Sequence, residues 1–322
     1  MSRRTLALFT TLLLVTTGAG TAACGGDDNG PATSTPGKPD QVKAGVIAIL
    51  DVAPIYLGKE KGFFSKRNIE LTLETAQGGS AIAPSVLSGQ YQFGFSNVVS
   101  LLLAKSQNAP LKAVANGVNS TGDPKADFGG IVVKDPAITS PKQLEGKKVA
   151  TNALKNIVDT SVKDIVKNDG GDPNKVNFVE LAFPDMGAQL DAGNVQAIFV
   201  VEPFLSAAKA KGWRTIGSYA DVDPNLCVAL YFTSQQQIQS NPDLVKRFTE
   251  AMNESLTYAN SHPDEVRAAL GTYTQITEQV RKSLTLPKWP AEIDKDAVNK
   301  LADLSVTYGL LKTKPDVGSL LP

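Results

Sequence analysis

The hydrophobic positions of this chain follow two periods that alternate along it. Runs such as 42–50 and 69–76 are apolar throughout or at every second position, which predicts β-strands. Segments such as 53–67 and 98–109 carry apolar residues at helical spacing instead. Because this alternation of strands and helices continues to residue 234, we predict an α/β fold with a mostly parallel sheet.

Turn-forming residues at 121–130 divide the alternating pattern into two halves. From Asn241 to about Tyr308 the pattern becomes almost wholly helical. A chain that crosses between the halves near Phe128 and returns near Tyr231 would form a two-strand hinge, which suits lobes that close around a ligand. One continuous sheet without a cleft is the alternative. The predicted domains are a first lobe at 41–127 plus 232–322 and a second lobe at 128–231.

The N-terminus predicts export from the cytoplasm. A basic start and an apolar run too short for a membrane span precede small residues, so residues 1–23 are typical of a signal peptide. The sequence "TAAC" that ends at Cys24 resembles a bacterial lipobox, with Thr21 where leucine is usual. We therefore predict lipidation of Cys24, and an ordinary secretory cut near Ala23 is the alternative.

The segment that follows Cys24 contrasts with the rest of the chain. Residues 25–40 contain no aromatic or large aliphatic side chain, so they cannot bury enough apolar surface to offset the entropy of ordering. We predict a flexible tether at 24–40. An extracytoplasmic protein anchored to the cell membrane by an N-terminal lipid is the expected arrangement.

Charge and reactive side chains narrow the function further. The 32 basic and 32 acidic residues balance, so the charge gives no reason to expect a nucleic acid partner. Apart from Cys24, the sequence holds one cysteine, Cys227 in an apolar strand-like run, and one histidine, His262 in a turn. These supply neither a conventional zinc site nor a Cys–His or Ser–His–Asp triad. We expect no catalytic residue, no metal, no cofactor and no enzymatic activity, in a monomer.

A recurring family pattern spans 42 to about 234. Its elements here are Pro54, Tyr56, Gly58, Glu60, Gly62, Phe63 and Phe64, then Gly78 and Gly79, then Gly89, Phe93 and Gly94. The chain resembles the substrate-binding proteins of nitrate, sulfonate and taurine ABC importers, a superfamily that includes binding proteins for thiamine-pyrimidine precursors. Gln92 stands where aspartate is usual. The resemblance implies a type 2 periplasmic-binding-protein fold, in which two α/β lobes close on a solute and present it to a membrane permease coupled to an ATPase.

Open α/β sheets bind ligands beyond the carboxyl ends of their strands. The candidate ligand-binding residues are Asp51, Ala53 and Pro54 after the first strand, Gly78, Gly79 and Ser80 after the second, Ser96 and Asn97 after the third, and Asn152, Asn156, Thr160, Asp185 and Glu202 in the second lobe. Glycines let backbone N–H groups approach a ligand, so a bulky residue at Gly79 should weaken binding with little loss of folding. The alternative roles are a turn with a capping serine at 78–80, a helix cap at Ser96 and Asn97, and a helix cap or helix start at Asp185 and Glu202. For Asn152, Asn156 and Thr160 the alternative is a solvated loop.

The chemistry of the ligand stays open at this point. No arginine lies in these loops, whereas Asp51, Asp185 and Glu202 are acidic. Helix N-termini and neutral donors would hold an anion, and an acidic partner would hold an amine or aminopyrimidine. On family frequency we favour a small organic anion: a sulfonate, a nitrate-like ion or an aromatic carboxylate.

Two other functions are alternatives to transport. The first is an enzyme similar to the branch of the superfamily that makes the thiamine pyrimidine, which uses an active-site histidine and a cysteine-rich iron site. The exported chain has no cysteine cluster and no histidine in its candidate loops. The second is a sensory or adhesive surface protein that binds a ligand without transporting it.

Overall fold

The computed structural model describes residues 37–322, so the predicted signal peptide, Cys24 and most of the predicted tether lie outside the described residues. The strands are β1 (Asp40–Val46), β2 (Ile69–Thr75), β3 (Phe93–Asn97), β4 (Leu111–Asn119), β5 (Gly129–Val133), β6 (Lys148–Thr151), β7 (Asn177–Glu180), β8 (Ala197–Val201), β9 (Arg214–Ser218) and β10 (Cys227–Ser234). The helices are α1 (Ala53–Glu60), α2 (Gly79–Leu87), α3 (Val98–Ser106), α4 (Ile157–Asn168), α5 (Phe183–Asp191), α6 (Phe204–Ala210), α7 (Gln235–Ser240), α8 (Pro242–Ser261), α9 (Pro263–Tyr273), α10 (Glu278–Ser283), α11 (Lys295–Thr307) and α12 (Val317–Leu320).

The strands form two five-stranded sheets rather than one continuous sheet. The first has the order β2-β1-β3-β10-β4, and the second has the order β7-β6-β8-β5-β9. In the first, β1 pairs in parallel with β2 and β3, while β10 is antiparallel to β3 and β4. In the second, β6 pairs in parallel with β7 and β8, while β5 is antiparallel to β8 and β9. The predicted α/β fold with two lobes is confirmed. The expectation of a mostly parallel sheet is wrong, because β10 in the first sheet and β5 in the second are antiparallel to both of their neighbours.

Two segments carry the chain between the sheets. The first joins Asn119 to Gly129, and the second joins Ser218 to Cys227. The predicted lobe boundary at 231/232 is wrong for the returning strand, because β10 already pairs with β4 from Cys227 onward. The apolar run that begins at Cys227 is buried along its whole length, so the crossing lies in the polar turn before it.

The two crossing segments are bonded to each other. The N–H of Ser120 donates to the carbonyl of Leu226 at 2.9 Å. One carboxylate oxygen of Asp127 accepts from the Ser120 hydroxyl at 2.9 Å and from the N–H of Ala220 at 2.8 Å. These bonds tie the connection between the lobes into one compact unit.

The long helix α8 covers the first sheet with the apolar stripe that the sequence predicts. Leu244, Phe248, Met252 and Leu256 recur at helical spacing and are buried. The ring of Phe248 stacks on Phe93 of β3 with centroids 3.6 Å apart. The C-terminal helices also reach the second lobe, where α10 contacts α6 and α11 contacts α4. Within residues 37–322, no helix combines the length and apolar character that crossing a membrane would require.

The sequence pattern predicted nine of the ten strands of the described residues and missed β9. Cys227 is buried as predicted, and burial raises the pKa of its thiol. β1 begins at Asp40, inside the predicted tether, because that residue pairs with Ile69 and its carboxylate binds Arg247. The sequence pattern missed β9, whose residues are half-exposed or exposed except Ser218, so that no apolar alternation marks it.

Candidate functional site

Loops from the two lobes meet at the carboxyl ends of parallel strands. The Asn152 side chain, after β6, donates to the carbonyl of Gln77, after β2, at 3.4 Å. A Cβ atom on Gly78 would lie 3.2 Å from the same Asn152 amide nitrogen. The N–H of Leu50, after β1, donates to the carbonyl of Glu202, after β8, at 3.0 Å. The structure therefore brings four of the predicted loops together across the line between the lobes.

Gly79 packs against its own lobe. A Cβ atom there would lie 2.7 Å from the Cα atom of Ser96 and closer still to the Ser96 side chain. Ser96 is buried, and its hydroxyl donates to the carbonyl of Asn97 at 3.2 Å. The expectation that a bulky residue at Gly79 would leave folding intact is wrong, because the glycine lets α2 pack directly on β3.

The asparagines at the helix starts act as caps. The Asn97 side-chain oxygen accepts from the N–H of Ser100 at 2.9 Å, at the start of α3. The Asn156 side-chain oxygen accepts from the N–H of Val158 at 2.8 Å, at the start of α4. The Asn156 amide also donates to the Asn152 side-chain oxygen at 3.0 Å, which orients Asn152 toward the first lobe. Thr160 is buried, and its hydroxyl donates to the carbonyl of Asn156 at 3.2 Å.

Four predicted residues lie at the edges of this region or in packing. Ala53 and Pro54 form the buried first turn of α1. Ser80 is exposed in the first turn of α2. Asp185 is exposed in the first turn of α5, whose N-cap residue is Ala182.

Glu202 is a buried carboxylate whose two oxygens are both bonded. One oxygen accepts from the Ser206 hydroxyl at 2.8 Å and the N–H of Thr285 at 3.1 Å. The other oxygen accepts from the N–H of Ser206 at 2.9 Å. Burial raises the pKa of Glu202. The Glu202 side chain thus links α6, through Ser206, to Thr285. It also adds an acidic group to the second-lobe side of the candidate site.

Asp51 differs from the other predicted residues because part of its carboxylate has no partner. The side chain lies in a short 3₁₀ helix after β1 and is 3% exposed. Its Oδ1 atom accepts no hydrogen bond among the described residues. Burial raises the pKa of Asp51 to about 7, and the charges of Asp127 and Glu202 add to that increase.

Three tyrosines interact electrostatically with this carboxylate. Burial raises the pKa values of Tyr219, Tyr231 and Tyr273, and the charge of Asp51 contributes to each increase. The Tyr231 hydroxyl is buried and has no hydrogen-bond partner among the described residues. The Tyr273 hydroxyl donates to the carbonyl of Ile49 at 3.1 Å. We call Asp51, Tyr219, Tyr231 and Tyr273 the acidic aromatic cluster.

Sequence reasoning missed the tyrosines of this cluster as site residues. Tyr219 follows β9, Tyr231 lies in β10, and Tyr273 ends α9. Tyr231 was expected only to mark a lobe crossing. No local pattern joins these positions, because the sheet and the C-terminal helices bring them together from distant parts of the chain.

Metal chemistry has no visible basis in the part of the chain that the structure describes. No group of three or more His, Cys, Asp or Glu side chains there is placed to hold a metal ion. His262 lies between α8 and α9, where its ring stacks on Tyr258 with centroids 3.7 Å apart.

A separate groove of about 700 Å³ lies on the second lobe, between α5 and α6. Phe183, Phe204 and Trp213 line it together with smaller apolar residues. Its charged residues, Asp191 and Lys211, are exposed, and Asp191 already pairs with Lys134 at 2.7 Å. None of the predicted site residues lines this groove, so the region between the lobes stays the candidate site.

Proteins of known family resemble this chain in sequence. A family model described as NMT1/THI5 like matches residues 50–266. A curated relative is the 4-amino-5-hydroxymethyl-2-methylpyrimidine phosphate synthase of Candida albicans, 24% identical over 237 residues, which are 68% of this chain and 67% of that protein. The chain thus spans about two thirds of the length of the curated relatives that it matches.

Solved structures share the fold at low sequence identity. The alkanesulfonate-binding protein SsuA from Xanthomonas axonopodis, bound to MOPS, has a TM-score of 0.75 at 17% identity and covers 88% of this chain and 99% of its own. The periplasmic nitrate-binding protein NrtA from Synechocystis has a TM-score of 0.76 at 15% identity, covering 88% of this chain and 86% of its own. The predicted resemblance to sulfonate- and nitrate-binding proteins is confirmed at the level of the fold.

Proposed function

Because the chain belongs to the NMT1/THI5-like family, we propose that it is an extracytoplasmic solute-binding protein that captures a small organic solute and delivers it to an ABC importer. The observation that carries this proposal is the meeting of strand-end loops from two lobes, where Asn152 reaches Gln77. Two bonded crossing segments join the lobes, and such connections allow closure around a ligand. The sulfonate- and nitrate-binding structural neighbours support the same role.

The proposal includes partners outside the chain. The sequence contains no glycine-rich ATP-binding loop, so a permease and an ATPase would supply transport and energy. Lipidation of Cys24 would hold the protein at the membrane surface, beside that permease. Replacing Cys24 by serine should move the exported protein from the membrane fraction to the soluble fraction, and retention on the membrane would contradict the anchor.

An enzyme is the second candidate, since curated relatives are named as pyrimidine phosphate synthases. The candidate site gives this alternative little support. Asp51 and Tyr231 form no pair of nucleophile and base, and the histidine lies outside the site, between α8 and α9. Binding without turnover is therefore the function that we propose.

Small-angle scattering with and without solutes tests the closure. We expect a bound solute to raise the melting temperature and to reduce the radius of gyration. Gly78→Phe should abolish that compaction, because the backbone at Gly78 is extended and its side chain would point toward Asn152. Gln236→Phe is the control, since Gln236 is exposed on α7. A solute that binds without compaction in the unaltered protein would contradict the closing lobes.

A further inference from the structure

We propose that the solute is an organic cation with N–H donors, such as an ammonium or amidinium ion, and that Asp51 and Tyr231 accept its hydrogen bonds. This inference rests on the proposed function and names the class of solute. It reverses the preference for an anion, which came from family frequency and from no residue of this chain.

Two buried hydrogen-bond acceptors of the acidic aromatic cluster have no partner in the described part of the chain. Asp51 Oδ1 and the Tyr231 hydroxyl are buried, and neither has a partner among residues 37–322. Buried polar groups in folded proteins are nearly always hydrogen-bonded, because a missing partner is costly. Asp51 lies after β1, at the carboxyl end where open α/β sheets bind ligands, and the adjacent Leu50 contacts the second lobe. A ligand that donates N–H groups between the lobes would satisfy both atoms.

The charged groups that act on Asp51 are all negative. The ionisable groups that act on Asp51 are Asp127 and Glu202, both acidic. Asp127 is fixed by the N–H groups of Thr121, Phe128 and Ala220, and Glu202 by Ser206 and Thr285. Neither carboxylate is therefore free to move away. An anion beside Asp51 would meet repulsion from all three, whereas a cation would neutralise part of their charge.

Three tyrosines interact with the Asp51 carboxylate. Tyr219, Tyr231 and Tyr273 come from three different elements and all lie within the field of Asp51. Tyr56 of α1 stacks on Tyr273 with ring centroids 3.8 Å apart. Aromatic faces attract organic cations through their quadrupoles, and the attraction grows where water is excluded. A carboxylate whose charge acts on three tyrosines thus matches an organic cation in both charge and aromatic partners.

The rival position for an anion is the start of α2, which has no side-chain cap. Pairs of probes with the same shape and opposite charge separate the two positions. Guanidinium and nitrate are both planar and trigonal. Benzamidinium and benzoate share a phenyl ring and differ in its planar substituent, which is an amidinium in one and a carboxylate in the other. Each probe is titrated into the full chain by calorimetry, with thermal shift as the second readout.

We expect guanidinium and benzamidinium to bind, and nitrate and benzoate to bind far more weakly or not at all. Asp51→Asn should weaken benzamidinium at least about 30-fold, because the charge partner is lost. Asp264→Asn is the matched control, since Asp264 is fully exposed on α9, and it should leave the affinity unchanged. Tyr231→Phe should weaken benzamidinium by a smaller factor without unfolding the protein, because the hydroxyl that it removes has no partner.

The other outcomes separate this inference from the function on which it rests. Tight binding of nitrate or benzoate, unchanged or improved in Asp51→Asn, would overturn the cation and leave the solute-binding function standing. If neither cation binds and another solute from a broad panel compacts the protein, the cation proposal is likewise overturned and the solute-binding function is kept. Failure of every probe and solute to bind would overturn both proposals.

Discussion

The polar groups at the helix starts and those in the acidic aromatic cluster occupy neighbouring parts of the candidate site but differ in their bonding. Asn97 and Asn156 hold the first turns of α3 and α4 and already accept backbone hydrogen bonds. Asp51 and Tyr231 are both buried, yet each keeps an atom without a partner among the described residues. The difference teaches that position at a strand end does not identify a ligand contact. We propose that the residues that contact the ligand are those whose hydrogen bonds the fold does not already make.

The largest expected effect concerns the charge of Asp51 in the free protein. Well below pH 4 the carboxyl is protonated in both the folded and the unfolded states, and the group does not change the stability. As the pH rises toward 7 the unfolded state loses this proton first, because the folded pKa is raised to about 7, so stability falls. Asp51→Asn should therefore be more stable than the unaltered protein at about pH 8, by up to roughly 4 kcal/mol, with most of this gain lost at about pH 4.

Urea unfolding at both pH values measures this difference. Subtracting the two proteins removes the contributions of titrating groups that do not interact with Asp51, such as Asp159, whose pKa burial raises to about 6. A variant that is less stable than the unaltered protein at high pH would show that Asp51 has a partner in the folded state. The acidic aromatic cluster would then be a structural element rather than a ligand site.

Gly79→Ala should cause the next largest effect, with the opposite sign. The added Cβ meets the backbone of Ser96, which cannot move without separating α2 from β3. We expect a loss of about 3 kcal/mol of unfolding free energy. Gly187→Ala is the control, because a Cβ there meets no atom within 4 Å and a helical alanine is favourable. A Gly79→Ala protein of normal stability with weakened binding would restore the glycine to the ligand site.

The capping asparagines provide a smaller effect. Asn97→Ala should cost about 1 kcal/mol of stability through loss of the cap of α3. Asn156→Ala should cost more, because the same side chain also accepts from Thr151 and orients Asn152. Both variants should weaken benzamidinium less than Asp51→Asn does. Thermal unfolding and calorimetry on the same samples give the two quantities, and a larger loss of affinity than for Asp51→Asn would place the ligand at the helix starts.

Asn152→Ala should give the smallest effect on stability, less than about 1 kcal/mol, since it removes one long hydrogen bond to Gln77. Its main consequence should be a larger radius of gyration of the free protein in scattering, because that bond crosses between the lobes. An unchanged radius would mean that the contacts of α10 and α11 with the second lobe hold the lobes together without Asn152.

Some functional features could be read from neighbouring residues. The cap position of Asn97 follows from an asparagine directly before a helical pattern, whereas the helical pattern that follows Asn156 was expected to begin only at Asp159. The loops after β1, β2, β6 and β8 were placed at the site from the order of strands and helices, and the structure brings those four together. Within these loops, however, the sequence could not separate Asp51 from Asp185 and Glu202.

The sequence by itself determined the α/β architecture, the two lobes, the helical C-terminal region and the resemblance to solute-binding proteins. These features are repeated in the spacing of apolar residues and in short motifs, so each segment carries its own signal. Only the tertiary structure decided that Gly79 packs on Ser96, that the chain returns to the first sheet at Cys227, and that Asp51 is buried with a carboxylate oxygen unpartnered within residues 37–322. Packing, burial and the loss of hydrogen-bond partners depend on residues far apart in the chain, which the local pattern does not contain.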